Sequence, residues 1–174
     1  MNTYTNEVEM LAKDWFRRCR ESQMAHYEYC SILERRHLYF GIPAIVLSTL
    51  VGTAVFSSWE TAVNDGWGRI VFGMLSMLAA AITALQTFLN LAEKASKHKN
   101  SGASYGALRR DLELLKTLPP ETEDEMKKQL QVIKLKMDEL AANSPGIPSK
   151  FKVMIDKRLK SSKHERMFRL DQTK

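Results

Sequence analysis

His26 and Cys30 are the two side chains whose types and spacing come closest to a chemical site. They lie four residues apart, so on a helix both would project from one face. Imidazole and thiolate are good zinc ligands, but a zinc site needs at least three protein ligands. The sequence offers no second pair at a matching spacing. We therefore predict no metal site and expect Cys30 to be a small buried residue.

Motifs that would mark an enzyme are absent. The sequence has no glycine-rich phosphate loop, no Cys-x-x-Cys pair and no His-Glu-x-x-His zinc motif. Cys19 and Cys30 are eleven residues apart, about 16 Å along a helix, which is too far for a disulfide. We expect both thiols to be reduced, no catalytic residues, no cofactor and no enzymatic activity.

Small and polar residues recur every three or four positions in an otherwise apolar segment near the middle of the chain. Two interpretations stay open. Small residues allow close helix packing in a membrane, and polar residues can line a pore when several helices surround an axis. The preceding apolar segment carries a matching set, which we expect to face this stripe. The stripe comprises Gly73, Ser76, Ala80, Thr83, Thr87 and Asn90, with Gln86 at its border, and the matching set comprises Ser48, Thr49, Gly52 and Thr53.

Positive charge is concentrated in the C-terminal part of the chain. Residues 93–174 hold 19 Lys and Arg against 12 Asp and Glu. Attraction to anionic lipid headgroups is one explanation of this excess. The other is a phosphate-binding surface for a nucleotide or oligonucleotide, with an aromatic ring for stacking. The candidates for that surface are Arg109, Arg110, Lys127, Lys128, Lys134 and Lys136, with Tyr105 as the stacking residue.

Two long uncharged runs must position the stripe. Residues 38–59 and 70–92 contain 22 and 23 residues without a charge. As helices they would be roughly 33 Å long, enough for a bilayer core of about 30 Å. Residues 60–69 are too few for a domain, so the pattern predicts a transmembrane hairpin. The alternative is a pair of core helices in a soluble protein, although such helices rarely stay uncharged on every face. Pro43 predicts a kink in the first span.

Charges next to the spans predict the orientation. Arg35 and Arg36 precede the first span, and Lys94, Lys97 and Lys99 follow the second. By the positive-inside rule both termini lie in the cytoplasm. The first apolar run begins too late for a cleavable signal peptide.

The soluble parts have helical patterns. Apolar residues predict a helix over residues 5–36, continuous with the first span. They also predict a short helix from Tyr105 to Pro119-Pro120, after a break or a weak point at residues 100–102. Thr122 and Glu125 form a capping box that opens a further helix, and a last helix begins near Ser149. The fold class is an all-α membrane protein with a cytosolic helix (1–37), a hairpin (38–92) and a basic helical cytosolic region (93–174).

Over about residues 10–160 the sequence resembles the SLATT family, the two-transmembrane effector domains of bacterial nucleotide-signalling conflict systems. The similarity lies in His26-Tyr27, in the GIPAIVLSTLVGTA segment of residues 41–54, in the short loop and in SYGALRRDL at residues 104–112. It implies an oligomeric pore-forming effector in the bacterial inner membrane. Its ligand would be a nucleotide or oligonucleotide made by a companion nucleotidyltransferase.

From these observations we expect a homo-oligomer, with a tetramer as the working number, that forms a gated pore in the lipid bilayer during antiphage defence. The gate would respond to the nucleotide signal or to a partner sensor. The alternative is a non-conducting membrane anchor that recruits a cytosolic partner through the helix of residues 122–141.

Overall fold

The described part of the chain folds into helices. The structure, a computed structural model, describes residues 3–57 and 66–161. Within these ranges it contains no strand, which confirms the all-α expectation. The predicted connection at residues 60–69 lies largely outside the described residues, as does the C-terminal tail. The helices are α1 (Thr3–Ser57), α2 (Gly66–Leu89), α3 (Leu91–Thr117), α4 (Glu123–Asn143) and α5 (Ser149–Ser161).

Helix α1 is continuous over 55 residues. The sequence predicted this continuity because no Gly or Pro precedes Gly41. Helix α1 also continues through Pro43, whose ring leaves the carbonyl of Tyr39 without an N–H donor.

Helix α3 differs from its prediction. The break expected at residues 100–102 is wrong, because α3 runs unbroken from Leu91 to Thr117. Gly102 and Gly106 instead allow α1 and α3 to approach closely. A Cβ at Gly102 would lie 3.2 Å from the ring of Tyr27, and a Cβ at Gly106 would lie 2.7 Å from Nε2 of Gln23.

The real interruption lies at Asn90, between α2 and α3. Asn90 has a φ of 43°, in the left-handed region that asparagine tolerates better than most residues. Its side-chain amide donates to the Glu93 carboxylate, and its backbone carbonyl accepts from the N–H of Lys94 at 3.2 Å. Asn90 is therefore a junction residue, a role that the sequence analysis missed.

Helix α4 begins where its sequence predicted. The Thr122 hydroxyl accepts a hydrogen bond from the backbone N–H of Glu125 at 3.3 Å, which confirms the N-terminal cap. Helix α3 ends at Thr117, just before Pro119. The backbone N–H of Ser144 donates to the carbonyl of Leu140 at 2.9 Å and closes α4.

The described residues form two compact units. The four-helix unit comprises residues 3–30 and 96–161, and the two-helix unit comprises residues 31–57 and 66–95. In the four-helix unit, α1, α3 and α4 share an apolar core. Cys19 is fully buried in this core, and burial raises its pKa to about 11. Both cysteines are buried thiols that form no disulfide, as the sequence predicted.

The two-helix unit has an apolar exterior. Its buried residues include small ones, Ala44 and Ala79. Large apolar side chains face outward, among them Met77 with 75% of its surface exposed and Phe88 with 85%. By length and composition, one helical stretch of the described residues, Ile70–Thr117, can cross a membrane. The first predicted span, residues 38–59, extends beyond the residues whose side chains are described.

Candidate functional site

Six of the small and polar residues predicted in the two spans line one open groove of the two-helix unit. The groove has a volume of about 940 Å³. The structure therefore brings part of the two sequence patterns together, as expected for sets that face each other within a hairpin. The predicted residues in this groove, called here the small-residue groove, are Ser48 and Gly52 from α1 and Ser76, Ala80, Thr83 and Thr87 from α2.

Within the single chain this groove is mostly open. Ser48, Ser76, Ala80, Thr83 and Thr87 are all exposed. The buried residues of this unit are instead ones such as Ala44 and Ala79, and Gln86, predicted at the border of the stripe, is half-buried.

Gln86 is half-buried between the two helices. Its Nε2 lies 3.5 Å from Nδ1 of His37, and a Cβ at Gly41 would lie 3.1 Å from the same nitrogen. Gly41 therefore makes room for the Gln86 amide. Gly52 and Gly73 have no such contact, since a Cβ at either position meets nothing within 4 Å.

The threonine hydroxyls of both helices bond to their own helix. Thr49 donates to the carbonyl of Ile45 at 2.8 Å, and Thr83 donates to that of Ala79 at 2.9 Å. Thr53 and Thr87 likewise donate to the carbonyls four residues earlier. Inside the chain these four hydroxyls therefore donate to carbonyls of their own helix and not to the other helix. Because each bond lies within one helix, the hydroxyl groups keep a hydrogen-bond partner whether they face lipid or water.

The predicted phosphate-binding lysines have carboxylate neighbours. Lys127 lies 3.9 Å from Asp124, Lys134 lies 2.6 Å from Asp138 and Lys136 lies 3.4 Å from Asp111. These pairs reduce the positive potential that the sequence count indicated. Lys128 and Arg110 are exposed on α4 and α3.

Arg109 and Tyr105 also differ from their expected roles. The Arg109 guanidinium lies over the ring of Phe16, 5.9 Å from its centroid, and its Nε is buried without a partner among the described residues. Tyr105 is 8% exposed and stacks on His26 at a ring distance of 5.6 Å. The prediction of Tyr105 as an exposed stacking platform for a base is therefore wrong, because its ring is part of the core.

A buried histidine pair is the polar centre of the four-helix unit. His26 and His98 are each 4% exposed, and their Nδ1 atoms lie 3.0 Å apart. One of these nitrogens must carry a proton and the other must accept it. Burial lowers the pKa of His26 to about 4, assisted by the charges of His98 and Lys152, and burial also lowers the pKa of His98.

Sequence spacing connected His26 with Cys30 and gave no reason to connect it with His98. His98 lies in a lysine-rich stretch, a pattern that indicates a solvent-exposed helix face. Its pairing with His26 therefore becomes visible only when α1 and α3 are packed together. The ring of Tyr29 lies beside the histidine pair. It makes an edge contact with the ring of His98, with the two ring centroids 4.8 Å apart.

Comparison of the chain with protein-family models, with curated proteins and with solved structures gave no match.

Proposed function

We propose that this chain is a pore-forming membrane effector whose two-helix unit crosses the bilayer and whose copies assemble around an axis. In this proposal residues 38–59 and 70–92 form the two spans, and both termini lie in the cytoplasm of a bacterial cell. The observation that carries the proposal is the surface of the two-helix unit between its charged ends, which combines an apolar exterior with a groove of small residues.

The exterior supports the membrane part of the proposal. Exposed side chains of the unit include Tyr39, Met74, Met77 and Phe88, each at least 70% exposed. Soluble monomers rarely expose contiguous apolar patches above a few hundred Å². In a bilayer such side chains contact lipid, and the cost of hydrating them disappears.

The small-residue groove supports the assembly part. In lipid, helices associate through close packing at small residues because the hydrophobic effect no longer drives them together. A neighbouring subunit that packs into the groove would bury Ser76 and Ala80. If the groove faces the symmetry axis instead, its hydroxyl oxygens would contact water and ions. Both arrangements require several copies.

The four-helix unit is the proposed control element. A pore that stayed open would kill its host, so a cytosolic signal must hold or release it. We base the antiphage role and the nucleotide or oligonucleotide signal on the resemblance to SLATT effectors. We base the cytosolic position of this unit on the positive charges that border the two spans.

Ion leakage tests the pore. Purified protein is reconstituted into liposomes loaded with a fluorescent dye or with K⁺, and release is measured with and without added nucleotide. Ala80→Leu fills the small-residue groove, and overpacking costs about 1–3 kcal/mol. Ala81→Leu is the matched control, because Ala81 is exposed on the same helix but does not line the groove.

The proposal expects leakage from the parent protein and from Ala81→Leu, and altered leakage and oligomer size for Ala80→Leu. If no leakage is measured under any condition, the proposal that the protein forms a pore is wrong.

A second candidate function is a non-conducting anchor. Val132 and Leu135 on α4 are more than half exposed and favour the docking of a cytosolic partner on this helix. Replacing both by Glu would abolish recruitment under this alternative and leave leakage unchanged under the first.

A further inference from the structure

The net positive charge of the chain is concentrated at its C-terminal end. Residues 149–174 hold nine Lys and Arg against three Asp and Glu, an excess equal to the net charge of +6 of the whole chain. Residues 1–148 therefore carry no net charge. Helix α5 alone holds five Lys and Arg against one Asp. The charge excess thus belongs to α5 and the segment after it, not to α3 and α4, where the sequence analysis had placed its candidates.

The inner face of α5 is occupied by contacts inside the four-helix unit. The ring of Phe151 contacts that of Tyr29, with the two centroids 5.1 Å apart, and Ile155 is 2% exposed. Phe151 and Ile155 are four residues apart, so they lie on one face of the helix. The opposite face is the one that α5 offers to a partner.

The outer face of α5 combines a lysine with aliphatic side chains. Val153 is 53% exposed and Met154 is 42% exposed. Lys150, which is also exposed, precedes them by three and four residues and therefore shares their face. Helices that lie flat on a membrane have this composition, because their apolar side chains enter the boundary between headgroups and acyl chains while their lysines contact anionic lipid.

Nucleic acid fits this face less well than lipid does. Proteins that bind single strands stack bases on aromatic rings as well as contacting phosphates with cations. Phe151 is the one aromatic residue of α5. Its ring is in contact with Tyr29, and the Lys150 ammonium lies 5.8 Å from its centroid. No ring of α5 is left for a base.

Helix α4 shows that exposed apolar side chains alone do not define such a surface. Val132 and Leu135 of α4 are more than half exposed, as Val153 of α5 is. However, α4 holds four Lys against five Asp and Glu, so an anionic surface would not attract it. Helix α5 differs from α4 in charge, and charge is what selects anionic lipid.

We propose that the outer face of α5 binds the anionic lipid surface of the bilayer. Lys150 contacts lipid phosphates, and Val153 and Met154 enter the boundary between headgroups and acyl chains. The basic residues that follow α5 add attraction to the same surface. This inference rests on the proposed function, because the two spans bring α5 to the bilayer.

Fluorescence quenching in the reconstituted full chain tests this contact. Met154→Cys is labelled with the fluorophore NBD, and the buried Cys19 and Cys30 should give little background. The vesicles contain phosphatidylcholine alone or an equal mixture with phosphatidylglycerol, and some headgroups carry a nitroxide quencher. We expect strong quenching in the mixed vesicles and weak quenching in the neutral ones. Quenching should be lost between about 100 mM and about 1 M salt, where the Debye length falls to about 3 Å.

Two controls tie the signal to α5. Val132→Cys places the fluorophore on α4, where quenching should not depend on phosphatidylglycerol. Lys150→Glu should lower the ratio of bound to unbound α5 about fivefold or more, the effect of one lysine near an anionic surface. Lys128→Glu makes the same charge change at an exposed position of α4 and should leave quenching unchanged. Flotation with vesicles and the melting temperature in detergent show whether each variant inserts and folds like the parent.

Several results would overturn the inference. One is equal quenching of the fluorophore at residue 154 in neutral and in anionic vesicles. Another is an equal effect of Lys128→Glu and Lys150→Glu. A fluorophore that responds to a DNA oligonucleotide and not to phosphatidylglycerol would show that the surface binds nucleic acid. These results leave the proposed pore intact if the protein floats with the vesicles and makes them leak. Protein that does not float with vesicles overturns the proposed function and this inference with it.

Discussion

The Nδ1 atoms of His26 and His98 lie 3.0 Å apart, although 72 residues separate the two histidines in the sequence. The pair joins α1 to α3 inside the four-helix unit and is enclosed by the rings of Tyr29 and Tyr105. A hydrogen bond between the two Nδ1 atoms requires that at least one ring is neutral. The packing of these helices therefore depends on the protonation of a buried pair.

Because of this buried histidine pair, we expect the protein to lose stability in mild acid. The folded pKa of His26 is about 4, below its ordinary value of 6.5, so below pH 6.5 the unfolded chain binds more protons than the folded chain. The contribution of neutral His26 to the free energy of unfolding is complete above pH 6.5 and is lost as the pH falls toward 4. Each pKa unit corresponds to about 1.4 kcal/mol, so a shift from 6.5 to about 4 gives a total loss on the order of 3 kcal/mol.

Urea unfolding at pH 7 and at pH 5 measures this effect. His98→Gln keeps a hydrogen-bonding group beside His26 and removes one titrating ring. We expect it to reduce the difference between the two midpoints. His37→Gln is the control, because His37 lies in the two-helix unit. An unchanged pH dependence in His98→Gln would contradict the role assigned to the pair.

Two leucines of α3 test the position of the core. Leu112 is fully buried, whereas Leu114 is 59% exposed. Leu112→Ala should lower the free energy of unfolding by about 2–5 kcal/mol, the range for leucines truncated in cores. Leu114→Ala should change it by less than about 0.5 kcal/mol. Denaturant midpoints in detergent measure both, and equal losses would mean that α3 presents another face to the core.

Local signals predicted much of the helix pattern. Thr122 with Glu125 located the start of α4, because a capping box satisfies specific N–H groups within four residues. Pro119 located the end of α3 for a similarly local reason. The absence of Gly and Pro before Gly41 predicted the continuity of α1. Each of these signals acts within a turn or two of the residue that carries it, so no knowledge of the tertiary fold was needed.

Glycine and histidine were harder to interpret from the sequence. The sequence pattern around Gly102 predicts a helix break or a weak point, but the role of this glycine depends on Tyr27, which approaches from α1. The sequence does not distinguish a glycine that weakens a helix from one that makes room for another helix. His98 and Ser144 are similar cases, since their burial depends on which helices pack over them. The small-residue groove was partly predictable because its period of three and four lies within single helices.

The orientation of the hairpin can be tested with introduced cysteines. Cys19 and Cys30 are buried, so their background labelling should be low. Asn64→Cys lies in the predicted outer loop, outside the described residues, and should react with an impermeant maleimide added to intact cells. Ser104→Cys should react only after the cells are lysed. Ser104 suits this test because it is exposed on α3, whereas the neighbouring Ser101 is buried. Labelling in the opposite pattern would invert the proposed topology.

Arg110 gives the cleanest test of control by a phosphate-bearing signal. Arg109 is less suitable, because its guanidinium packs over Phe16 and its replacement would disturb the core. Arg110 is exposed on the same helix, so Arg110→Glu changes charge with little change in packing. We expect this variant to insert into liposomes as the parent does and to lose the change in leakage that a short RNA oligonucleotide produces.

Salt dependence and a charge control complete that test. If phosphate contacts carry binding, the affinity of the oligonucleotide for the parent protein should fall steeply between about 50 and 200 mM salt. The dependence should be shallower in Arg110→Glu. Lys157→Glu makes the same charge change at an exposed position of α5 and should keep the ligand response. If Arg110→Glu responds to the oligonucleotide as the parent does, at every salt concentration, Arg110 is not part of the sensor. A partner protein then becomes the better explanation of the gate.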